Sequence, residues 1–217
     1  MIEIETLTVG PFQSNCYIVS CSDTKAAVVV DAGDEAQRIL SAVERLGVEV
    51  NAVINTHAHL DHVSALAEVS EVLGVPVLMH ASEMPIYEVI SAQASMFGLP
   101  KPRTVSIDRF VEDGEEVIIG NVKGEYLLTP GHSPGSICIR FRDETPERLM
   151  AGDVLFQGSI GRTDLPGGDY DTIIRTLRTR FVPLPDDLIV YPGHGPETTI
   201  GEEKRTNPFL APLCGSS

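Results

Sequence analysis

Three histidines and one aspartate fall within six consecutive residues of this chain, a dense set of side chains that can bind metal. The segment Thr56–His62 reads THAHLDH and directly follows a short apolar run. Because side chains two residues apart in an extended segment point the same way, His57 and His59 can face one cavity. Asp61 and His62, at the start of a predicted helix, can face that cavity from another side. The spacing therefore makes two adjacent ligand sets possible.

Three further candidate ligands end predicted strands, and each stands next to a glycine. They are His132 in Pro-Gly-His, Asp153 in Ala-Gly-Asp and His194 in Pro-Gly-His. Glycine lets the backbone turn sharply at such positions. Imidazoles and carboxylates together suit zinc, iron or manganese, whereas a closed structural zinc site would use clustered thiolates, which this sequence lacks. The pattern predicts a metal centre that is open to substrate.

The order of these residues resembles the metallo-β-lactamase superfamily, whose signature is T-H-x-H-x-D-H followed by three later ligand positions. The resemblance covers most of the chain and implies two divalent metal ions, with zinc as the expected metal and iron or manganese as alternatives. It implies a first metal held by His57, His59 and His132, a second held by Asp61, His62 and His194, and Asp153 as the bridge between them. Asp61 and Asp153 are also our candidate catalytic residues.

Three residues near these motifs have less certain roles. His80 ends another predicted strand but matches no ligand position, so we place it outside the metal set, in a supporting or packing role. Thr56 either orients a ligand or favours the end of a strand. Arg162 either meets a substrate carboxylate or forms a salt bridge with an acid such as Asp164. Arg162 is therefore kept as a candidate substrate-binding residue.

A water shared by two metal ions about 3.5 to 4 Å apart becomes a hydroxide near neutral pH, because its pKa falls from about 15.7 to about 7. This hydroxide can attack a carbonyl carbon while a metal ion stabilises the oxyanion that develops. A thiolate leaves with little help, since the parent thiol has a pKa of about 8.5. No proton donor for an amine leaving group can be assigned. The sequence therefore predicts a metal-dependent hydrolase that cleaves a small-molecule thioester.

Within the superfamily, three motifs resemble the short type II glyoxalases, which are hydroxyacylglutathione hydrolases. These motifs are Asn15-Cys16-Tyr17, the GHSPG loop at 131–135 and the YPGHG segment at 191–195. The resemblance implies hydrolysis of a thioester such as S-D-lactoylglutathione to a hydroxy acid and a free thiol. Longer members carry a helical C-terminal domain that holds glutathione, whereas a short tail follows His194 here, so the native acyl-thiol is left open.

Two other activities on the same fold also stay open. A mononuclear iron persulfide dioxygenase would use His57, His132 and Asp153 as a two-histidine, one-carboxylate face, and similar Gly-Arg-Thr-Asp segments occur in those enzymes. The second alternative is a lactonase. We favour hydrolysis because the YPGHGP segment at 191–196 resembles the hydrolases and because every binuclear ligand position is filled.

Composition and the start of the sequence disfavour several other classes of function. The formal net charge of -15 disfavours binding to nucleic acid or to an anionic membrane. The start of the sequence has no signal peptide, which disfavours a secreted β-lactamase, and no apolar run is long enough to span a membrane. A cytoplasmic protein is expected. Its cysteines should then be inert, buried side chains; they are Cys16, Cys21, Cys138 and Cys214.

The elements that must position these residues follow a strand and helix order. Alternating and apolar runs in the first thirty residues predict strands, and Asp34 is expected to cap a helix that Gly47 ends. A buried strand at 52–54 then leads through the histidine-rich segment into a helix predicted over 60–73. The sequence thus predicts that the dense ligand segment joins a strand to a helix.

The second half of the chain is richer in strands. Residues 82–102 are predicted to begin as a helix and to end in a less regular apolar segment, which we interpret as a lid over the site. Short strands are predicted over 105–149, followed by a helix over 170–181 and a strand over 188–191. Strands with helices outside them, together with the resemblance, predict an α/β fold, a four-layer αββα sandwich in a single domain over 1–217. The oligomeric state is left open.

Overall fold

The first half of the chain folds into a six-stranded mixed sheet in the computed structural model, which describes residues 1–215. The order of the strands along the sheet is their order along the chain. The first three strands are antiparallel and the third to sixth are parallel. They are β1 (Ile2–Val9), β2 (Ser14–Cys21), β3 (Ala26–Val30), β4 (Glu49–Ile54), β5 (Val77–Met79) and β6 (Arg109–Phe110). The parallel strands bring the loops at their carboxyl ends to one edge.

The second half forms another six-stranded sheet, in the order β14-β13-β10-β9-β8-β7. In this sheet only the β10 and β13 pair is parallel among the described strands. Its strands are β7 (Glu116–Ile119), β8 (Val122–Leu128), β9 (Ile137–Phe141), β10 (Arg148–Gly152), β13 (Ile189–Pro192) and β14 (Thr198–Thr199). A small two-stranded ribbon, β11 (Leu155–Phe156) and β12 (Ser159–Ile160), lies between β10 and β13 in the chain.

Short helices flank both sheets. They are α1 (Ala36–Leu46), α2 (Leu60–Val63), α3 (Leu66–Leu73), α4 (Met84–Tyr87), α5 (Ile90–Met96), α6 (Tyr170–Thr176), α7 (Ile200–Thr206) and α8 (Ala211–Cys214). A 3-10 turn, Ala81–Glu83, precedes α4, and a π-helical turn, Leu177–Phe181, continues α6. None of the helices within residues 1–215 is long and apolar enough to cross a membrane.

Three apolar cores hold these elements together in four layers. Ile39 and Leu66 pack in the core that joins helices to the first sheet, and Ile173 and Leu177 pack in the core that joins helices to the second. Between the two sheets, buried side chains from both meet, among them Val19, Val28, Ile54, Tyr126, Ile139 and Met150. The order helix, sheet, sheet, helix confirms the predicted αββα sandwich. Its assignment as a single domain stays a prediction.

The helix expected over 60–73 is in fact two helices, so that prediction is wrong in its middle. The Ser64 hydroxyl donates to the Leu60 carbonyl at 2.6 Å, and the Ala65 amide donates to the Ala32 carbonyl at 3.0 Å. Because the Ala65 amide donates to a carbonyl in another loop, the series of helical hydrogen bonds is interrupted between α2 and α3. The short α2 carries two candidate ligands, Asp61 and His62.

The ends of the other predicted helices agree better with the structure. The helix over 170–181 is confirmed as α6 with its π-helical continuation. Gly47 ends α1 at a φ of 62°, as expected for a glycine cap. Asp34 is not the N-cap, and that prediction is wrong: Glu35 occupies this position at a φ of 51°, and its amide donates to Asp34 Oδ1 at 2.6 Å.

The cysteines are free thiols, and the expectation of burial holds for three of them. Cys16, Cys21 and Cys138 lie in the strands and are buried. Cys214 is exposed, so the prediction is wrong there. It ends α8, a short helix that buries none of its residues and covers neither sheet with a full apolar face.

Candidate metal centre

The predicted ligands converge in the loops that leave both sheets. The carboxyl ends of the parallel strands β10 and β13 share an edge, and the loop between β8 and β9 reaches the same place. His57 and His59 follow β4, Asp61 and His62 lie on α2, His132 lies between β8 and β9, Asp153 follows β10, and His194 follows β13. Segments far apart in the chain thus bring all the predicted ligand residues into one cluster.

One group within the cluster consists of His57, His59 and His132, whose ligand atoms lie within 4.8 Å of one another. His132 Nε2 is 2.8 Å from His59 Nδ1 and 3.3 Å from His57 Nε2. All three residues are buried. This is the set that the family resemblance assigns to a first metal, and its ligand nitrogens lie close together.

The second group consists of Asp61, His62 and His194. Asp61 Oδ2 lies 3.0 Å from His194 Nε2 and 3.5 Å from His62 Nε2. The Asp153 carboxylate lies between the groups: its Oδ2 is 3.6 Å from Nε2 of both His132 and His194, and its Oδ1 is 3.4 Å from His62 Nε2. Asp153 is thus in contact with members of both groups.

Hydrogen bonds to the outer ring nitrogens orient several of these imidazoles. His132 Nδ1 donates to the Arg162 carbonyl at 2.8 Å, and His194 Nδ1 donates to the Gln13 carbonyl at 3.2 Å. A carbonyl can only accept, so each ring carries a proton on Nδ1 and turns Nε2 toward the cluster. Backbone carbonyls thereby select the tautomer that can bind a metal ion.

Asp31 orients two more imidazoles, and the sequence analysis did not single it out. Its Oδ2 accepts from His62 Nδ1 at 3.0 Å and from the Thr56 hydroxyl at 2.7 Å. Since that hydroxyl donates to Asp31, it accepts from His57 Nδ1, 3.0 Å away. Of the two roles expected for Thr56, orienting a ligand and favouring the end of a strand, these contacts support the first, because Thr56 orients His57. A signal was present in the sequence, since Asp31 follows the buried strand β3 and precedes Ala32-Gly33, as Asp153 follows β10.

Glu83 is a second buried carboxylate that sequence reasoning missed. It is fully buried, and it accepts from the Ala58 amide through Oε2 at 2.8 Å and from the Gly135 amide through Oε1 at 2.6 Å. Ala58 stands between His57 and His59, while Gly135 belongs to the loop of His132. No local pattern reveals such a role, because the two loops that Glu83 ties together are brought near it only by the fold.

The chemistry of the cluster fits divalent cations. His62 Nε2 and Asp153 Oδ1 are buried and have no hydrogen-bond partner within the described part of the chain. Buried polar atoms are nearly always paired, and leaving one unpaired costs about 1 to 3 kcal/mol. His59 Nδ1 and His57 Nε2 also converge on His132 Nε2, and the His57 and His132 rings carry protons on Nδ1. Divalent cations would give His62 Nε2 and Asp153 Oδ1 partners once His62 Nε2 releases its proton, so the donor set matches the one predicted.

The first group is held in its neutral form. Burial, followed by neighbouring His132, lowers the pKa of His59 to about 3, and burial lowers the pKa of His132 to about 4. Burial also holds the pKa of His57 well below its usual value. Neutral imidazole is the form that offers a lone pair to a metal ion. These residues are therefore ready to bind metal at neutral pH.

The second group mixes opposite charges. Burial alone would lower the pKa of His62, but the Asp153 and Asp61 carboxylates raise it to about 10. Burial alone would raise the pKa of Asp61, but His62 and His194 hold it below its usual range. The attraction between carboxylates and imidazoles keeps these side chains together in the protein.

Glycines beside the ligands act in two ways. Gly131 and Gly152 have positive φ angles of 134° and 48°, which confirms the expected sharp turns before His132 and Asp153. Gly193 is different, because a Cβ atom there would lie 2.9 Å from His62 Cε1 and would overlap the Asp153 carboxylate. Glycine is required at that position by close packing against the cluster.

A cavity of about 360 Å³ opens beside the cluster. Gln93 and Phe97 line it, so the 82–102 segment does border the site, while movement of that segment stays a prediction. Arg162 also lines the cavity, and its Nε and Nη2 each donate to the Asp164 carboxylate at 2.7 Å. His80 lies outside the cluster, where its Nδ1 accepts from the Ser82 amide at 3.3 Å.

Comparisons with known proteins show the family and the fold. The family model of the metallo-beta-lactamase superfamily matches residues 9–194. The hydroxyacylglutathione hydrolase GloC of Haemophilus influenzae is 41% identical over 211 residues, or 96% of this chain and 98% of that protein. The BLEG-1 B3 metallo-beta-lactamase superimposes with a TM-score of 0.88 at 36% identity, over 96% of this chain and 99% of that one. TTHA1623 in a di-iron-bound form gives a TM-score of 0.85 at 39% identity, over 95% and 100% of the two chains.

Proposed function

Since this chain belongs to the metallo-β-lactamase superfamily and is a metallo-hydrolase of that superfamily, we propose that it hydrolyses thioesters at a binuclear metal centre. The observation that carries the proposal is the position of Asp153, whose carboxylate contacts imidazoles of both groups at 3.4 to 3.6 Å. A carboxylate shared in this way suits two neighbouring cations better than one.

In this proposal the residues divide as the family resemblance implies. His57, His59 and His132 would hold the first metal ion, Asp61, His62 and His194 would hold the second, and Asp153 would be shared by both. When bound, the metal ions supply a nucleophile near neutral pH and stabilise negative charge on the carbonyl oxygen. The protein keeps its ligands in the required tautomers through Asp31, Thr56 and the carbonyls of Gln13 and Arg162.

The cavity suits a substrate with a thiolate leaving group better than one with an amine leaving group, which supports a thioester. A thiolate is expelled without a strong acid, because thiols have pKa values of about 8.5. Among the described residues that line the cavity there is no lysine or tyrosine that could protonate an amine. The similarity to a hydroxyacylglutathione hydrolase, at 41% identity over nearly the whole of both chains, supports the same reaction class. S-D-lactoylglutathione is therefore the first substrate to test.

The test uses purified protein whose metal content has been quantified. Under anaerobic conditions it should release free thiol from S-D-lactoylglutathione, because hydrolysis needs water and no oxygen. The persulfide dioxygenase alternative requires oxygen and would use His57, His132 and Asp153 around a single iron. Absence of thiol release, together with oxygen consumption on glutathione persulfide, would overturn the hydrolase proposal in favour of that alternative.

One further activity has a specific observation in its favour. The similarity to BLEG-1, a B3 metallo-beta-lactamase, extends over nearly the full length of both chains. A chromogenic cephalosporin should therefore be assayed beside the thioester with the same metal-loaded protein. We expect the thioester to have the higher kcat/KM, since the cavity offers little help to an amine leaving group. A higher kcat/KM for the β-lactam would make β-lactam hydrolysis the better assignment.

A further inference from the structure

The cavity beside the metal centre has a largely apolar wall. Phe12, in the turn between β1 and β2, packs edge to face on Phe97, just after α5, with ring centroids 5.3 Å apart. Phe156, Ile160 and Leu165 line the same cavity. The first two rings remain 39% and 52% exposed, and exposed apolar surface of this kind beside a site commonly binds a ligand. An apolar part of the substrate would be desolvated against this wall.

Lysine and arginine side chains are scarce among the described residues that line the same cavity. Arg162 is the only lysine or arginine among the described residues that line it. Both of its hydrogen bonds from the guanidinium go to Asp164, so a substrate carboxylate would have to displace that partner. Glutathione carries two carboxylates, and the whole chain has a formal net charge of -15, which repels anions at long range. The neutral polar groups available are Gln93 and Ser159.

We propose that the cavity selects thioesters that carry a neutral, apolar group, and that it does not bind the charged ends of a glutathione moiety. This specificity rests on the proposed thioesterase activity. The reacting carbonyl must reach the residues at the metal centre. The Phe12 and Phe97 rings line the same cavity, so they would lie beside the acyl chain or the thiol portion of the substrate. Burying an apolar substituent against this wall would stabilise the bound substrate. A glutathione carboxylate would instead have to compete with Asp164 for the Arg162 guanidinium.

The first experiment measures kcat/KM by thiol release from metal-loaded protein. One series of N-acetylcysteamine thioesters has acyl chains lengthened from acetyl to butanoyl and hexanoyl, and a second keeps the acetyl group and lengthens the thiol. We expect kcat/KM to rise roughly two- to fourfold per buried methylene in at least one series. If both series are flat while thioesters are cleaved, the specificity proposal is wrong and the thioesterase proposal stands. If no thioester is cleaved, the thioesterase proposal itself fails.

The second experiment asks whether the aromatic wall causes that rise. Phe97→Ala should flatten the rising series, so that the longest thioester loses a larger fraction of its kcat/KM than the acetyl thioester does. Phe110→Ala is the matched control, because Phe110 is 43% exposed on β6 and does not line the cavity. In Phe110→Ala, kcat/KM should rise with chain length as steeply as it does in the unmodified protein. A slope that survives in Phe97→Ala would contradict the assignment of this wall.

The third experiment tests the role of the Arg162 and Asp164 pair. With one acyl group held constant, the unmodified protein should have a lower kcat/KM for the glutathione thioester than for the N-acetylcysteamine thioester. Asp164→Ala frees the guanidinium and should raise the value for the glutathione thioester about two- to fivefold, the worth of an exposed ion pair. A preference for glutathione in the unmodified protein, or no selective rise in the variant, would overturn the proposal.

Discussion

Three aspartates make different contacts with the histidines of the two candidate ligand groups. Asp153 approaches the histidines of both groups, whereas Asp61 contacts only His62 and His194 among the candidate ligands. Asp31 accepts from the outer side of His62 and orients it without belonging to either proposed set of metal ligands. The three aspartates thus occupy different places around the same imidazoles, and replacing each should have a different effect.

Asp153→Ala should lower metal content and reduce thioester turnover by at least about 100-fold, because it removes the carboxylate that would be shared by both metal ions. Metal analysis and thiol release on the same preparation check this. Asp171→Ala, which removes an exposed carboxylate on α6, serves as the control and should change neither quantity. Normal turnover in Asp153→Ala would refute the bridging role.

Glu83→Gln should weaken metal binding by about 10- to 100-fold, because one of the Ala58 and Gly135 amides loses its carboxylate acceptor and the two ligand loops separate. The free energy of unfolding should also fall, by about 1 to 3 kcal/mol. Competition with a chelator and denaturant unfolding measure the two effects. Glu88→Gln, at an exposed position nearby, is the matched control. A loss of stability with unchanged metal affinity would leave Glu83 with a purely structural role.

At the scale of elements, the first sheet also supports the loop that carries His194. The Asn15 side chain on β2 donates to the carbonyls of Pro192 and Gly195 at 3.0 and 2.8 Å, on both sides of His194. The Tyr17 hydroxyl, on the same strand, donates to the Pro192 carbonyl at 2.5 Å. The second group of ligands therefore depends on contact between the two sheets.

Asn15→Ala should release this loop and lower the occupancy of the second metal more than that of the first, since His57, His59 and His132 are held by other contacts. Metal titration by calorimetry should then show one tight binding event and one weakened event. Asn51→Ala, at an exposed position on β4, should titrate like the unmodified protein. Equal weakening of both events in Asn15→Ala would argue against separate anchoring of the two groups.

The sequence indicated the type and order of most elements, because their hydrophobic periods are local properties. It predicted the end of α1 at Gly47 and the helix over 170–181 correctly. It missed the break between α2 and α3, since that break depends on a hydrogen bond from Ala65 to the distant Ala32. The ligand types were recognisable from THAHLDH, but the roles of Asp31 and Glu83 were not, because both act on segments that only the fold brings near.

Across the whole molecule, the metal centre lies at the margin of a fold that has three apolar cores of its own. Those cores are built from both sheets and from the outer helices, and the candidate ligands occupy loops between elements and the short helix α2. Folding of the sandwich therefore does not depend on metal in the way that a small zinc domain does.

Removing metal with a chelator should lower Tm but leave the far-ultraviolet circular dichroism of the native state nearly unchanged. Metal present at about a thousandfold above its Kd stabilises the folded state by about 4 kcal/mol, and chelation removes this contribution. The Asp153→Ala variant is the control and should show a smaller change in Tm on chelation. Loss of the dichroism signal at room temperature would show instead that metal is needed for folding.

The central claim is that two metal ions act together in thioester hydrolysis, and a metal titration of activity tests it most directly. Metal-free protein is titrated anaerobically with Zn²⁺ while thiol release from S-D-lactoylglutathione and from an N-acetylcysteamine thioester is followed. Activity should rise to a plateau at about two equivalents of metal per chain. A plateau at about one equivalent, or no thiol release at any zinc or iron loading, would contradict the account.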